Sequence, residues 1–128
     1  MIYVIDTYAW VEYFRGTEKG KKLQKLLEQE HRFITPVCCV FELKSWALSE
    51  NLDFAAILNT VQSQSRIKPV SDSDWEEAAE ARHKHRKTIK DFGLVDALIV
   101  VIQQRLKAKV VSGDKHFKTL RNVVYIGE

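Results

Sequence analysis

Four acidic residues stand where acids are costly. Asp6 closes the apolar run "IYVI", Glu42 sits inside "PVCCVFELKSWAL", Asp96 inside "LVDALIVVIQQRL", and Asp114 lies just past "KVVS". A carboxylate among apolar neighbours is unfavourable unless it is paired or holds a cation. No lysine or arginine immediately flanks Asp6, Glu42 or Asp96. Two such groups about 5 Å apart repel by roughly 3 kcal/mol at an effective dielectric near 20, so a cluster needs protons or cations. Hard oxygen donors without cysteine or a well-placed histidine select Mg²⁺ or Mn²⁺ over zinc. An open site of this kind suits metal-assisted attack of water on a phosphodiester.

The elements that must position these acids are read from the hydrophobic pattern. A strand is expected over 2–6 and a short helix over 8–15. A second helix lies in "GTEKGKKLQKLLEQE", where Leu23, Leu26 and Leu27 fall at helical spacing. "RFIT" reads as a strand. Thr35 reads as the cap of a helix with Pro36 at its first position, running to about Ser49. Another helix covers Asp53 to Ser63, and "IKPV" is a third strand. Ser71 or Ser73 opens a helix that turns basic at "ARHKHRK"; an apolar helix follows Gly93, then strands "KVVS" and "VVYI". The strands are continuous apolar runs alternating with helices, which implies a parallel sheet covered on both faces.

In open α/β sheets ligands bind beyond the carboxyl ends of the strands. Asp6 and Asp114 fall at that edge. The connecting helices are expected to start there, which adds Asp96 in the first turn or so of its helix. Glu42, six residues after Pro36, is roughly 9 Å along its helix and must reach back. Taken singly, Asp6 also reads as a helix cap and Asp114 as a turn residue. Glu42 near a helix start also gains from the dipole. Asp96 is the hardest to explain without a ligand, and the four together point to one edge.

The chain has 128 residues, 45% hydrophobic and 29% charged, with net charge +3 and pI near 8.9. That bounds it to a single domain, 1–128, with one continuous core, and permits a polyanionic partner. No apolar run approaches the ~20 residues of a membrane helix, and the opening strand pattern lacks the regions of a signal peptide. Cys38 and Cys39 are adjacent and so poorly placed for a disulfide, which suits a reducing, cytoplasmic setting.

The run 82–87, "RHKHRK", with Lys90, is the densest basic stretch. Arg82, Lys84, Arg86 and Lys87 suit contacts to the phosphates of a polyanion or simply a solvated helix face. His83 and His85 point to different faces, so a zinc site there is not expected. His116, beside Asp114, reads as a surface turn residue. Trp10 and Phe14 share a helix face and read as core or dimer packing, Trp46 and Trp75 as core or interface.

The motifs "VIDTYAWVEYF", "TPVCCVFEL" and "LVDALIVVIQQRLKAKVVSGDKHF" resemble the PIN-domain ribonucleases over essentially the whole chain, and the small VapC-type toxins of toxin–antitoxin pairs in particular. The most specific piece is "DALIVV" followed, eighteen residues after its aspartate, by "SGDKHF" at the end of a strand. The resemblance implies that Asp6, Glu42, Asp96 and Asp114 form an acidic metal-binding, catalytic quartet, supported by the hydroxyls of Thr7 and Ser112. It implies a three-layer α/β/α fold with a parallel five-stranded sheet in order 3-2-1-4-5. The implied activity is Mg²⁺- or Mn²⁺-dependent endoribonuclease, leaving a 5′-phosphate and a 3′-hydroxyl. The implied partners are RNA, a second copy in a homodimer, and a cognate antitoxin. A further acid or amide that some members carry a few positions past the fourth is absent here, where Lys115, His116, Phe117 and Lys118 follow. Two other readings stay open: a catalytically silent PIN-like RNA- or protein-binding module, and a receiver-like signalling domain. The full set of acids favours the enzyme over the first. The solitary Asp6, where receivers place an acid pair, disfavours the second.

Overall fold

A computed structural model describes residues 1–128. The elements are β1 (Ile2–Ile5), α1 (Thr7–Arg15), α2 (Glu18–Leu27), β2 (Arg32–Pro36), α3 (Val37–Ser49), α4 (Phe54–Gln64), β3 (Arg66–Lys68), α5 (Asp72–His85), α6 (Leu94–Leu106), β4 (Lys109–Ser112) and β5 (Val123–Tyr125), with a 3-10 turn at Lys115–Phe117. All strand pairs are parallel and the order is β3-β2-β1-β4-β5. This is the expected α/β sheet. It also removes the receiver-like reading, whose doubly wound order is 2-1-3-4-5.

Alternation along the two central strands divides the interior. Val4 and Val110 face a core built with Phe92, Phe117 and the apolar face of α6. Tyr3, Ile5 and Val111 face the opposite side, where Trp10, Leu23, Leu43 and Ile57 close the core under α1–α4. Both faces of β1 and β4 are therefore dry, which is why their sequences read as unbroken apolar runs. No helix is long and apolar enough to cross a membrane.

Helix starts follow local chemistry, with one correction. Asp6, Thr17, Asp53 and Ser71 each cap a helix through the side chain, and Ser71 forms a reciprocal capping box with Asp74. Thr35 does not cap α3. It is the penultimate residue of β2, and the helix begins at Val37 without a side-chain cap. The Thr35 hydroxyl instead accepts from the Trp10 indole N–H at 3.0 Å and lies 2.7 Å from the Ser65 hydroxyl. A fully buried indole N–H needs an acceptor, and that need outweighs the capping preference. The expected "IKPV" strand shifts to Arg66–Lys68.

α1 and α2 meet through a left-handed Gly16, φ 69°, and a close contact at Gly20. A Cβ on Gly20 would stand 2.1 Å from the Glu12 carbonyl oxygen, which is backbone and cannot step aside. Gly20→Ala is therefore expected to destabilise the protein by about 1–3 kcal/mol, seen as a lower urea midpoint at unchanged slope. Wild-type stability in this variant would mean that the two helices do not approach this closely.

Candidate active site

The ladder between β1 and β4 sets the first part of the site. Ile5 pairs with Val111, and the Asp6 amide donates to the Val111 carbonyl at 3.3 Å, so Asp6 and Ser112 leave the sheet side by side. Asp6 is 4% exposed, and its Oδ1 accepts from the Ala9 amide at 2.9 Å. The buried Ser112 hydroxyl bonds to the Asp6 carboxyl, and its Oγ accepts from the Asp114 amide at 3.0 Å. One hydroxyl thus ties the first acid to the turn bearing the fourth. Burial pushes the Asp6 carboxyl up to about 7. The Ser112 and Ala9 hydrogen bonds pull it down, and the charges of Asp114 and Asp96 push it further up. That mutual repulsion locates all three acids in one neighbourhood.

α6 supplies Asp96 from its first turn, where Oδ2 accepts from the Gly93 amide at 2.8 Å. The 3-10 turn supplies the other wall. Asp114 caps it, with Oδ1 accepting from the His116 amide at 2.9 Å, while Phe117 is buried in the core. The turn swings His116 inward. Its Nδ1 lies 2.9 Å from Asp96 Oδ2 and 3.5 Å from Asp114 Oδ1, and its side chain is only 17% exposed. His116 is therefore no surface turn residue. Donor atoms of Asp96, Asp114 and His116 all lie within 4.8 Å of one another, a spacing that one cation can span. The spacing Asp114-x-His116 beside a buried Phe117 was the signal in the sequence, and it acquires meaning only once the turn is seen to face Asp96.

Glu42 stands apart from that trio. It is exposed on the second turn of α3, and its Oε1 accepts from the Thr7 hydroxyl. Thr7 follows Asp6 directly, so Glu42 is tethered at the rim beside the first acid. Cys39, buried near Thr7 and Asp6, has its thiol held well above the ordinary value, foremost by the hydrogen bond with Cys38 and then by burial. Both cysteines are free thiols. With Cys39 protonated, the donors at this edge are oxygen and imidazole.

The direction of α5 departs from expectation. The Arg105 guanidinium, at the end of α6, pairs with Asp74 and, at 2.6 Å, with Glu77, both near the start of α5. The two helices are antiparallel, as helices joined by a short connection such as 86–93 usually are. α5 therefore ends at the carboxylate edge instead of starting there, and carries the basic run with it. The His85 and Phe92 rings are 5.1 Å apart, and the Phe92 and His116 rings 6.2 Å apart. Arg82 is half-buried; Lys84, Arg86 and Lys87 are exposed. Trp10 is wholly buried, while Trp46 and Trp75 pack half-buried against the two cores.

Comparison with known proteins bears on the fold and the family. No sequence match is found among curated proteins. Three solved structures resemble this fold over nearly the full length of both chains. One is a toxin–antitoxin complex from Klebsiella pneumoniae (20% identity, TM-score 0.71, 97% of each chain). Another is VapBC2 from Rickettsia felis bound to a DNA fragment from its promoter (19%, 0.73, 98% of this chain and 97% of that one). The third is VapC20 from Mycobacterium tuberculosis, a toxin that cleaves the sarcin–ricin loop (18%, 0.76, 96% and 97%). The model of the PIN domain family matches residues 3–123, and the chain belongs to that family.

Proposed function

We propose that the protein is a divalent-metal-dependent endoribonuclease, the toxin of a toxin–antitoxin pair. The observation that carries this is the convergence of Asp6, Asp96 and Asp114 from three separate elements, with His116 closing the group. The carboxylates fit Mg²⁺ or Mn²⁺; the imidazole of His116, a donor the sequence reading did not place here, would also admit zinc. Asp96, Asp114 and His116 would hold the ion, Asp6 lies beside them, and Glu42 reaches in from the rim through Thr7. A bound cation supplies a lowered pKa for water and offsets charge on the phosphate. The residues do the rest. Ser112 keeps Asp6 and the Asp114 turn in register, the Gly93 amide orients Asp96, and the 3-10 turn holds the His116 ring against Asp96. The basic end of α5 would hold RNA phosphates near the edge.

Fold relatives crystallised as toxin–antitoxin complexes support a protein partner. So does α3, whose Phe41 and Leu48, 64% and 70% exposed, lie two turns apart on one face. That face suits an antitoxin or a second copy of the chain in a homodimer. The silent-module reading loses support from the three clustered acids, with Glu42 tethered at the rim.

The experiment is cleavage of labelled RNA by the purified protein with Mg²⁺, Mn²⁺ or chelator, with mapping of the product ends. Metal-dependent cuts bearing 5′-phosphates are expected; RNA left intact under every metal tested would refute the assignment. Mn²⁺ is also expected to raise the melting temperature. A cation that binds only the folded state adds about 2.7 kcal/mol at a hundredfold excess over its dissociation constant. The absence of any shift at millimolar Mn²⁺ would argue against a preformed site.

A further inference from the structure

One face of α6 forms a wall of a cleft of about 740 Å³. Val100, Gln103, Gln104 and Lys107 line it at positions i, i+3, i+4 and i+7, a stretch of roughly 10 Å. The segment 119–122 makes the other wall. The charge in this cleft has a single sign. Lys84, Lys107, Lys109 and Arg121 line it, with the imidazole of His85 beside them, and no acidic residue does. None of these cations takes part in an ion pair. Arg105, on the same helix, is by contrast engaged by Asp74 and Glu77 and does not line the cleft.

The cleft is built before any ligand arrives. Gln103, 6% exposed, donates through Nε2 to the carbonyls of Arg121 at 3.0 Å and Asn122 at 2.7 Å. That pair of bonds clamps the far wall to α6 and fixes where Arg121 projects from. One end of the cleft, at Lys84 and His85, adjoins the ring series His85–Phe92–His116 that leads to the carboxylates. The other end, at Lys107 and Lys109, lies where β4 begins, the opposite side of the sheet.

We propose that this cleft is a second binding site for the RNA strand: it carries the backbone of a single-stranded segment flanking the scissile phosphate, with Lys107, Lys109 and Arg121 contacting phosphates remote from the acids. This rests on the RNA-cleaving reading above. A strand held at both ends of α6 gains affinity from length, because each phosphate contact releases counterions whatever the sequence. An acidic polypeptide is the competing occupant. The continuity of the cleft with the carboxylate edge favours the strand.

The test uses the full chain with Lys107→Glu, Lys109→Glu and Arg121→Glu combined, and the corresponding glutamine triple variant as the form least disturbing to the fold. Binding to a fluorescent 30-nucleotide single-stranded RNA is measured in Ca²⁺ over a range of KCl. Both variants are expected to lower the slope of log affinity against log salt by about 2, at ~0.7 per lost contact. The apparent KM for RNA is expected to rise about tenfold or more. The kcat and the Mn²⁺-induced shift in melting temperature should stay at wild-type values. A wild-type slope in the folded glutamine variant overturns the proposal. Loss of binding to poly-glutamate with RNA binding retained overturns it too, and assigns the cleft to a protein. If the wild-type protein neither cleaves RNA nor binds it in a salt-dependent way, the functional reading itself fails. That outcome is distinct from an active wild type matched by its variant.

Discussion

Replacing Asp96 with asparagine is expected to slow RNA cleavage by more than about a hundredfold while leaving the chain folded. Loss of a group that merely orients a metal ligand already costs roughly 10–100-fold, so loss of a ligand charge should exceed that. The fold should hold because asparagine keeps the carbonyl oxygen that accepts from the Gly93 amide. The rest of α6 is anchored independently by Ala97, Leu98 and Ile102, all wholly buried. Removing one of three mutually repelling carboxylates should also make the metal-free protein no less stable. The decisive measurements are single-turnover cleavage under saturating Mg²⁺ and a melting curve in chelator. Wild-type cleavage by the asparagine variant would remove Asp96 from the chemistry.

The second large effect concerns Asp6 and pH. Its carboxyl ionises near 7 in the folded protein and near 3.8 when unperturbed, foremost because burial disfavours the charge. The folded state therefore binds a proton that the unfolded chain has released between those values. Below about pH 4 both states are protonated and nothing is lost. From about 4 to 7, stability falls as pH rises, and above about 7 the loss is complete, on the order of 4 kcal/mol. Asp6→Asn removes the titrating group and keeps an acceptor for Ala9 and Ser112. In chelator the variant should match wild type at pH 4 and exceed it increasingly towards pH 7.5, as followed by urea unfolding. Mn²⁺ should reverse the ranking at pH 7.5, because the cation stabilises the ionised carboxylate that burial opposes. Parallel stability profiles for the two proteins would show that Asp6 is not buried as described.

Much of this was open to sequence reasoning because the central strands are dry on both faces. "IYVI" and "KVVS" read as interior strands of a parallel sheet, which places acids just past them at its carboxyl edge. Asp96 was legible for a related reason, as a charge within an apolar helical run. What escaped depends on partners distant in sequence. The role of Thr35 is set by Trp10, twenty-five positions away, whose indole needs its oxygen. The direction of α5 is set by the grip of Arg105 on Asp74 and Glu77, which no periodicity encodes. His116 looked superficial because a Lys-His-Phe turn is ordinary, and only the burial of Phe117 turns the imidazole inward. Glu42 was placed by type, but its tether to Thr7 was not visible.

The strand order has a consequence for how the molecule comes into being. β1 is the first strand of the sheet to be made, yet it lies at the centre, between β2 and β4. Its Asp6 edge is complete only when β4 pairs beside it and the Asp114 turn follows. Roughly a hundred residues separate those events, about 5–20 s of ribosomal synthesis. Throughout that interval the nascent chain has its first acid but lacks the strand and turn that complete the cluster. If the chain cleaves RNA as proposed, that activity cannot assemble until β4 and the Asp114 turn have left the ribosome.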